Sequence, residues 1–332
     1  MTPADLSRAV LHAVRRAVDE DALRAPVPAR VRVERTRPGG RGDYACAVAL
    51  QLARPAALPA RDVAEILRER VPGMPGVGAV EVTGPGFLNF TLLDGDDRLD
   101  ALVGAVREHG AAYGHGDAAS GTAVSFAVVE EPRALVVTET VERLLAAQGA
   151  AVGARTEGGE ALHVVPVPTD DRDLFERLGN DAARWALLRP APHDRPRETG
   201  DGALLVQCES NPLFRVRYAY ARTRALSRSA ERLGFGAGYE ERVDAPALGA
   251  LLADHPDVLA AAARHREPDR VARHLEAVAR AFFDFHDTVA PLPVGDEKPS
   301  AAHRSRLALA EAAGTVLAGG LSLLGISAPE VL

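Results

Sequence analysis

The chain has 332 residues, 39 Lys+Arg against 46 Asp+Glu, a formal net charge of −7 and 47% hydrophobic residues. This composition supports a folded core and excludes disorder as the main state, and the acidic balance excludes indiscriminate nucleic-acid binding while permitting a local basic face. At about 150 residues per domain, two or three domains are expected.

Cys46 and Cys208 are the only cysteines, far apart and with no CxxC or Cys/His grouping. Neither a disulfide framework nor a structural zinc is expected, and a reducing cytoplasm is the expected compartment. No metal or cofactor site is expected. The N-terminal stretch MTPADLSRAVLHAVRRAVDE is charged every few residues, so it reads as an amphipathic helix rather than a signal or membrane segment. The sole lysine is Lys298. With nearly all positive charge on arginine, only clustering of arginine points to phosphate.

Residues 1–95 read as an α+β domain. A first helix is expected over Pro3–Asp19, strands over Arg30–Arg35 and Tyr44–Leu52, and a helix over Arg61–Glu69 that buries Val63, Ile66 and Leu67. Two short strands follow, Ala79–Thr83 and Phe87–Leu93, joined by Gly84-Pro85-Gly86. Residues 96–203 read as a small α/β Rossmann-like segment. Val124–Val129 is a candidate buried strand, Arg133–Gln148 a helix with Pro132 before it and Gly149 after it, and Asp170–Leu188 a further helix. The run RPAPHDRPRETGDG that follows reads as a linker. Residues 204–332 read as an all-α helix bundle, with helices near Pro212–Gly234, Ala247–Leu252, Pro256–His265, Asp269–Thr288 and Ala301–Gly319.

Two separated blocks, in order, carry a resemblance. GDYACAVALQLA, then a helix, then GPGFLNF (Gly84 to Phe90) is similar to the additional N-terminal domain of the arginyl-tRNA synthetases. NPLFRVRYAYAR (Asn211 to Arg222), EPDRVARHLEAVARAFFDFHD and RLALAEAAGTVLAGGLSLLGISAPEVL resemble their DALR-type anticodon-binding domain. The ending departs from the family in placing Leu332 where a methionine is usual. In that family the catalytic domain is a class I Rossmann fold of well over two hundred residues, whereas only about 110 separate the two blocks here. At the place of the HxGH motif the chain has Glu130-Glu131-Pro132-Arg133, carboxylates at a helix N-terminus where ATP phosphates would be held. RTEGGEALHVVPV, ahead of the segment similar to the post-KMSKS region, contains no lysine.

The resemblance therefore implies a truncated paralogue with a degenerate, mostly deleted catalytic domain. No catalytic residue is assigned and aminoacylation is not expected. The expected partner is a tRNA, with arginine tRNA the candidate, and neither DNA nor a membrane. Two alternatives stand beside this: a repurposed tRNA-dependent transferase, and an interaction module for a true aminoacyl-tRNA synthetase.

From Asn211 to Arg232 six arginines face a single glutamate. At 100° per residue Arg217, Arg224 and Arg228 fall near one line and Arg215 and Arg222 share another, with Tyr218 and Tyr220 interleaved. Arginine pairs with phosphates and tyrosine stacks on bases, so these seven residues are the candidate RNA contacts; a solvated face with core tyrosines is the plain alternative. The resemblance adds Phe87 and Asn89, at positions where the family holds a D-loop base, although Phe87 also suits a core and Asn89 a strand end. His115 reads as a turn histidine, and His265, His274 and His286 as surface or capping residues.

Overall fold

The structure is a computed structural model and describes residues 3–36, 40–71, 77–92, 96–168, 173–196 and 202–332. The chain forms two compact units, Met1–Leu102 and Val103–Leu332.

The first unit begins with α1 (Pro3–Asp19), then β1 (Val33–Arg35), β2 (Tyr44–Cys46), α2 (Val48–Ala56), α3 (Ala60–Arg68), β3 (Val77–Thr83) and β4 (Phe87–Leu92). The strands form an antiparallel sheet in the order β1-β2-β4-β3. Leu88, Phe90 and Leu92 point into a core shared with Leu6, Val10 and Val14 of α1 and Val63 and Leu67 of α3. Ile66, expected in that core, is only partly buried and packs against it. Strand alternation then puts Phe87 and Asn89 on the opposite side of the sheet. Two glycines allow close backbone approach. A Cβ on Gly86 (φ +135°) would lie 2.6 Å from the Ala60 carbonyl oxygen at the start of α3, and one on Gly42 (φ +72°) 2.7 Å from that of Phe90.

The expected strand Tyr44–Leu52 ends at Cys46, and α2 begins at Val48. Val48, Ala49, Leu52 and Ala56 are the buried positions, a helical spacing that overrides the short run of alternation before it. Only Val33–Arg35 of the expected Arg30–Arg35 strand pairs with a neighbour.

α4 (Asp96–His109) runs across residue 102, where the two compact units divide. In the second unit β5 (Ala123–Val124) and β6 (Ala151–Val152) pair in parallel across α5 (Pro132–Ala147). The expected strand Val124–Val129 is mostly not one: beyond Val124 only isolated bridges at Phe126 and Ala127 continue the pairing, and Val128 is 61% exposed. α6 (Leu174–Leu188) is broken at Gly179, and the start expected at Asp170 lies outside the described residues. α7 (Pro212–Arg232), α8 (Pro246–His265), α9 (Asp269–Thr288) and α10 (Ala301–Leu324) form the bundle. α10 is long and apolar enough to cross a membrane by length and composition, yet most of it is buried in the unit as a core helix.

Two helices expected on either side of Pro256 are one, α8. A proline inside a helix leaves the carbonyl four residues earlier without its donor. Here that carbonyl belongs to Leu252, and the Tyr113 hydroxyl donates to it at 3.1 Å. Tyr113→Phe should therefore destabilise the second unit by about 1 to 3 kcal/mol, the cost of a buried orphan carbonyl. Chemical denaturation of both proteins measures this, and equal midpoints would show that the carbonyl finds another donor.

Candidate RNA-binding face

Helix α7 carries six arginines against one glutamate, and its start is fixed by its own sequence. Asn211 caps it, accepting from the Phe214 amide at 3.2 Å with Pro212 in the first turn. The Asn211 amide nitrogen donates to the carbonyls of Leu204 (2.9 Å) and Val206 (2.8 Å), tying down the segment ahead of the helix.

The candidate residues on α7 separate into distinct groups. Tyr218 is 44% exposed and stacks between Phe214 (centroids 5.5 Å apart, planes 7° apart) and Phe283 of α9 (5.6 Å, 24°). Of these three rings Tyr218 is the exposed one, and so the one an unstacked base can reach. One turn further on, Arg222 lies beside His286 of α9, with its Nε and Nη2 3.3 and 3.2 Å from the ring Nε2. Tyr220, two residues from Tyr218 and so about 200° around the helix, is half-buried and does not join this surface. Arg215 is half-buried, with a buried Nε that has no partner.

Arg217, Arg224 and Arg228 do share a line, but it is not an open cationic strip. Arg224 Nε lies 3.1 Å and Arg228 Nη1 3.4 Å from the Glu330 carboxylate, while Arg217 lies 3.6 Å from Asp181 and donates to Ser327 Oγ at 3.2 Å. Ser327 also hydrogen-bonds Asp181 through its hydroxyl. The desolvated Asp181 carboxyl is nevertheless held below the ordinary aspartate range by these donors and by Arg217. The three arginines thus hold the segment after α10 against α7. Glu330→Gln should release it, seen as faster amide hydrogen exchange over residues 326–332; unchanged exchange would show that the ion pairs are incidental. Beside this segment lies a recess of about 370 Å³ whose walls include Leu205, Phe214, Arg217 and Leu332.

In the first unit, Phe87 is half-buried and Asn89 is 6% exposed. The Asn89 amide nitrogen already donates to Thr83 Oγ1 at 2.7 Å, so reading a base through it requires that bond to be exchanged. Asn89 does line a recess of about 480 Å³ together with Thr36, Arg41, Arg61 and Thr83.

The start of α5 is closed by its own side chains. Glu131 caps it, its carboxylate accepting from the amides of Ala134 (2.6 Å) and Val167 (2.8 Å), whereas Glu130 is exposed. Arg133 is fully buried and donates to five carbonyls, those of Val165, Leu187, Pro190, Ala191 and Asp194, at 2.7 to 3.2 Å. Burial lowers its pKa, against the opposing pull of Glu131, Asp194 and Asp269. The expected linker from residue 189 is accordingly a folded segment as far as residue 196, gathered around this guanidinium; residues 197–201 lie outside the described residues.

His115 follows a turn and is exposed, as expected, and His265 is exposed at the end of α8. His274 is not a surface residue: it is 7% exposed and stacked 5.2 Å from the buried His255. Lys298 is exposed in the loop before α10. Among the described residues no group of His, Cys, Asp and Glu is arranged to hold a metal. Sequence reasoning missed Phe214, Phe283 and His286. The i, i+4, i+8 spacing of Phe214, Tyr218 and Arg222 was available, but only the packing of α9 on α7 adds the other two.

A family model described as the DALR anticodon binding domain matches residues 216–332, and one described as the arginyl tRNA synthetase N terminal domain matches residues 4–92. The chain is thus built around an anticodon-binding helical domain. The arginine–tRNA ligase of Renibacterium salmoninarum is 27% identical over an alignment of 550 residues that spans 99% of this chain and 100% of that protein. That of Pseudarthrobacter chlorophenolicus is 42% identical over 173 residues, 48% of this chain and 30% of that protein. The arginyl-tRNA synthetase of Thermus thermophilus shares the fold at a TM-score of 0.60 and 14% identity over 100% of both chains, and that of Plasmodium falciparum at 0.61 and 9% over 99% of both. The chain belongs to the arginyl-tRNA synthetase family.

Proposed function

We propose that the protein binds a tRNA, with arginine tRNA the candidate, and does not aminoacylate it. The observation that carries the binding reading is the Phe214–Tyr218–Phe283 ring cluster, whose Tyr218 is exposed, with Arg222 beside it, on the helix that opens the matched anticodon-binding domain. Rings for bases and a guanidinium for phosphate suit a single-stranded loop. Phe87 and Asn89, next to an arginine-lined recess, are the proposed second contact, at the D-loop.

The noncatalytic reading rests on the middle of the chain. The 550-residue alignment against a chain of 332 leaves more than two hundred positions without a counterpart here. The two-residue parallel pair β5/β6 across α5 is read as the remnant of a Rossmann domain. At its helix N-terminus, Glu131 occupies the amides that would hold an anionic phosphate, and Arg133 is used up inside the protein. The cytoplasm is the proposed compartment.

Binding of full-length arginine tRNA and of its isolated anticodon hairpin tests the reading. Tyr218→Ala should weaken both by about 1 to 3 kcal/mol, and Asn89→Ala only the full-length tRNA. No arginine-dependent ATP–pyrophosphate exchange is expected. Exchange that a point substitution in this chain abolishes would overturn the noncatalytic reading, and a Tyr218→Ala protein with wild-type affinity would overturn the binding site.

A further inference from the structure

We propose that His286 is a positioning residue for Arg222, and that Asp287 fixes the ring tautomer that makes this possible. The inference rests on the RNA-binding reading of the α7–α9 face. A guanidinium has donors only, so the two Arg222 nitrogens lying 3.3 and 3.2 Å from His286 Nε2 require that nitrogen to present its lone pair. The ring proton then sits on Nδ1, which lies 3.2 Å from the Asp287 carboxylate and donates to it. The ring packs against Phe282, centroids 6.0 Å apart and planes 47° apart, so its orientation is set by the helix that carries it.

The charge consequence separates Arg222 from Arg217, Arg224 and Arg228. Arg217, Arg224 and Arg228 are oriented by carboxylates, which meet their charge. Arg222 is oriented by a neutral acceptor, and among the described residues no carboxylate pairs with it. It is exposed, held in one direction, and keeps its full charge toward solvent. Ordering a long side chain before a ligand arrives removes part of the entropic cost of binding while leaving the charge available to a phosphate. Tyr218 is one helical turn away on α7, so the oriented guanidinium lies beside the ring that would stack a base.

The test uses the full chain, with an anticodon-hairpin RNA as probe. Arg222→Ala and His286→Leu should each weaken binding, His286→Leu by about three- to tenfold, the range expected when one long side chain loses its preordering. His286→Gln should restore affinity, because its side-chain carbonyl can accept from Arg222. In an Arg222→Ala background His286→Leu should have no further effect. Wild-type affinity for His286→Leu while Arg222→Ala and Tyr218→Ala bind weakly would overturn the inference and leave the RNA face standing. Additive losses, with no rescue by Gln, would overturn it too, since His286 would then act through its own contact. Wild-type affinity in both Tyr218→Ala and Arg222→Ala would remove the RNA reading and the inference with it. Independently of any variant, long-range ¹H–¹⁵N spectra of the wild-type protein should show the Nδ1–H tautomer at His286, and an Nε2–H tautomer would overturn the proposal.

Discussion

Replacing Arg133 with methionine should destabilise the second unit by about 3 to 5 kcal/mol, with the melting temperature falling by roughly 10 °C. Methionine nearly fills the volume but donates nothing, so the carbonyls of Val165, Leu187, Pro190, Ala191 and Asp194 lose one donor group together. Each buried orphan carbonyl is costly, and water must enter or the segment around residues 190–194 must unfold. Arg133→Lys should recover only part of the loss, because an ammonium is a point donor and cannot reproduce the planar fork that spans five acceptors. Calorimetry gives the size of the effect, and hydrogen exchange its location near residues 165 and 187–194. A methionine variant within about 1 kcal/mol of wild type would show that these carbonyls are already served by solvent.

Acidification should destabilise the protein through the buried histidines of α8 and α9. Burial pulls His274 from 6.5 down to about 4 and His255 well below its ordinary value, the latter reinforced by His274 and His115. Neither His255 Nδ1 nor His274 Nε2 has a hydrogen-bond partner, so neither ring has an acceptor there to favour its charged form. The folded state binds the proton more weakly than the unfolded chain does. Stability is therefore full above about pH 6.5 and is lost as pH falls toward about 4. For His274 alone the shift corresponds to about 3 kcal/mol across that window. Burial also raises the Asp269 carboxyl, which contributes with the opposite sign. Comparison with His274→Phe isolates the imidazole: the variant should lose stability less steeply over the same window. Parallel curves for the two proteins would mean that His274 titrates normally in the fold.

Local pattern was a good guide where one element decides its own structure. The Pro3–Asp19 and Asp269–Thr288 helices form at the residues their periodicity and flanking signals mark. The Gly84-Pro85-Gly86 turn joins the two strands it was expected to join. It failed where a distant partner changes what a local signal means. Pro256 reads as a helix break, yet α8 runs through it because Tyr113, about 140 residues away in sequence, serves the carbonyl that proline leaves bare. The Pro-rich run after Arg189 reads as a linker, but its carbonyls are ordered by one buried arginine.

The candidate face shows the same division. The sequence by itself determined the family, the order of its two accessory domains, and the placing of Arg217, Arg224 and Arg228 on one line, because helical periodicity and motif order are properties of the chain. It could not determine what that line meets, since charge on a helix acquires its role only from what packs opposite. Tertiary structure brought Glu330 and Asp181 to those arginines, Phe283 to Tyr218 and a neutral imidazole to Arg222. The same six arginines could have been one uniform basic strip. The fold instead sets three of them, Arg217, Arg224 and Arg228, to hold its own chain and orients Arg222 with its charge unspent.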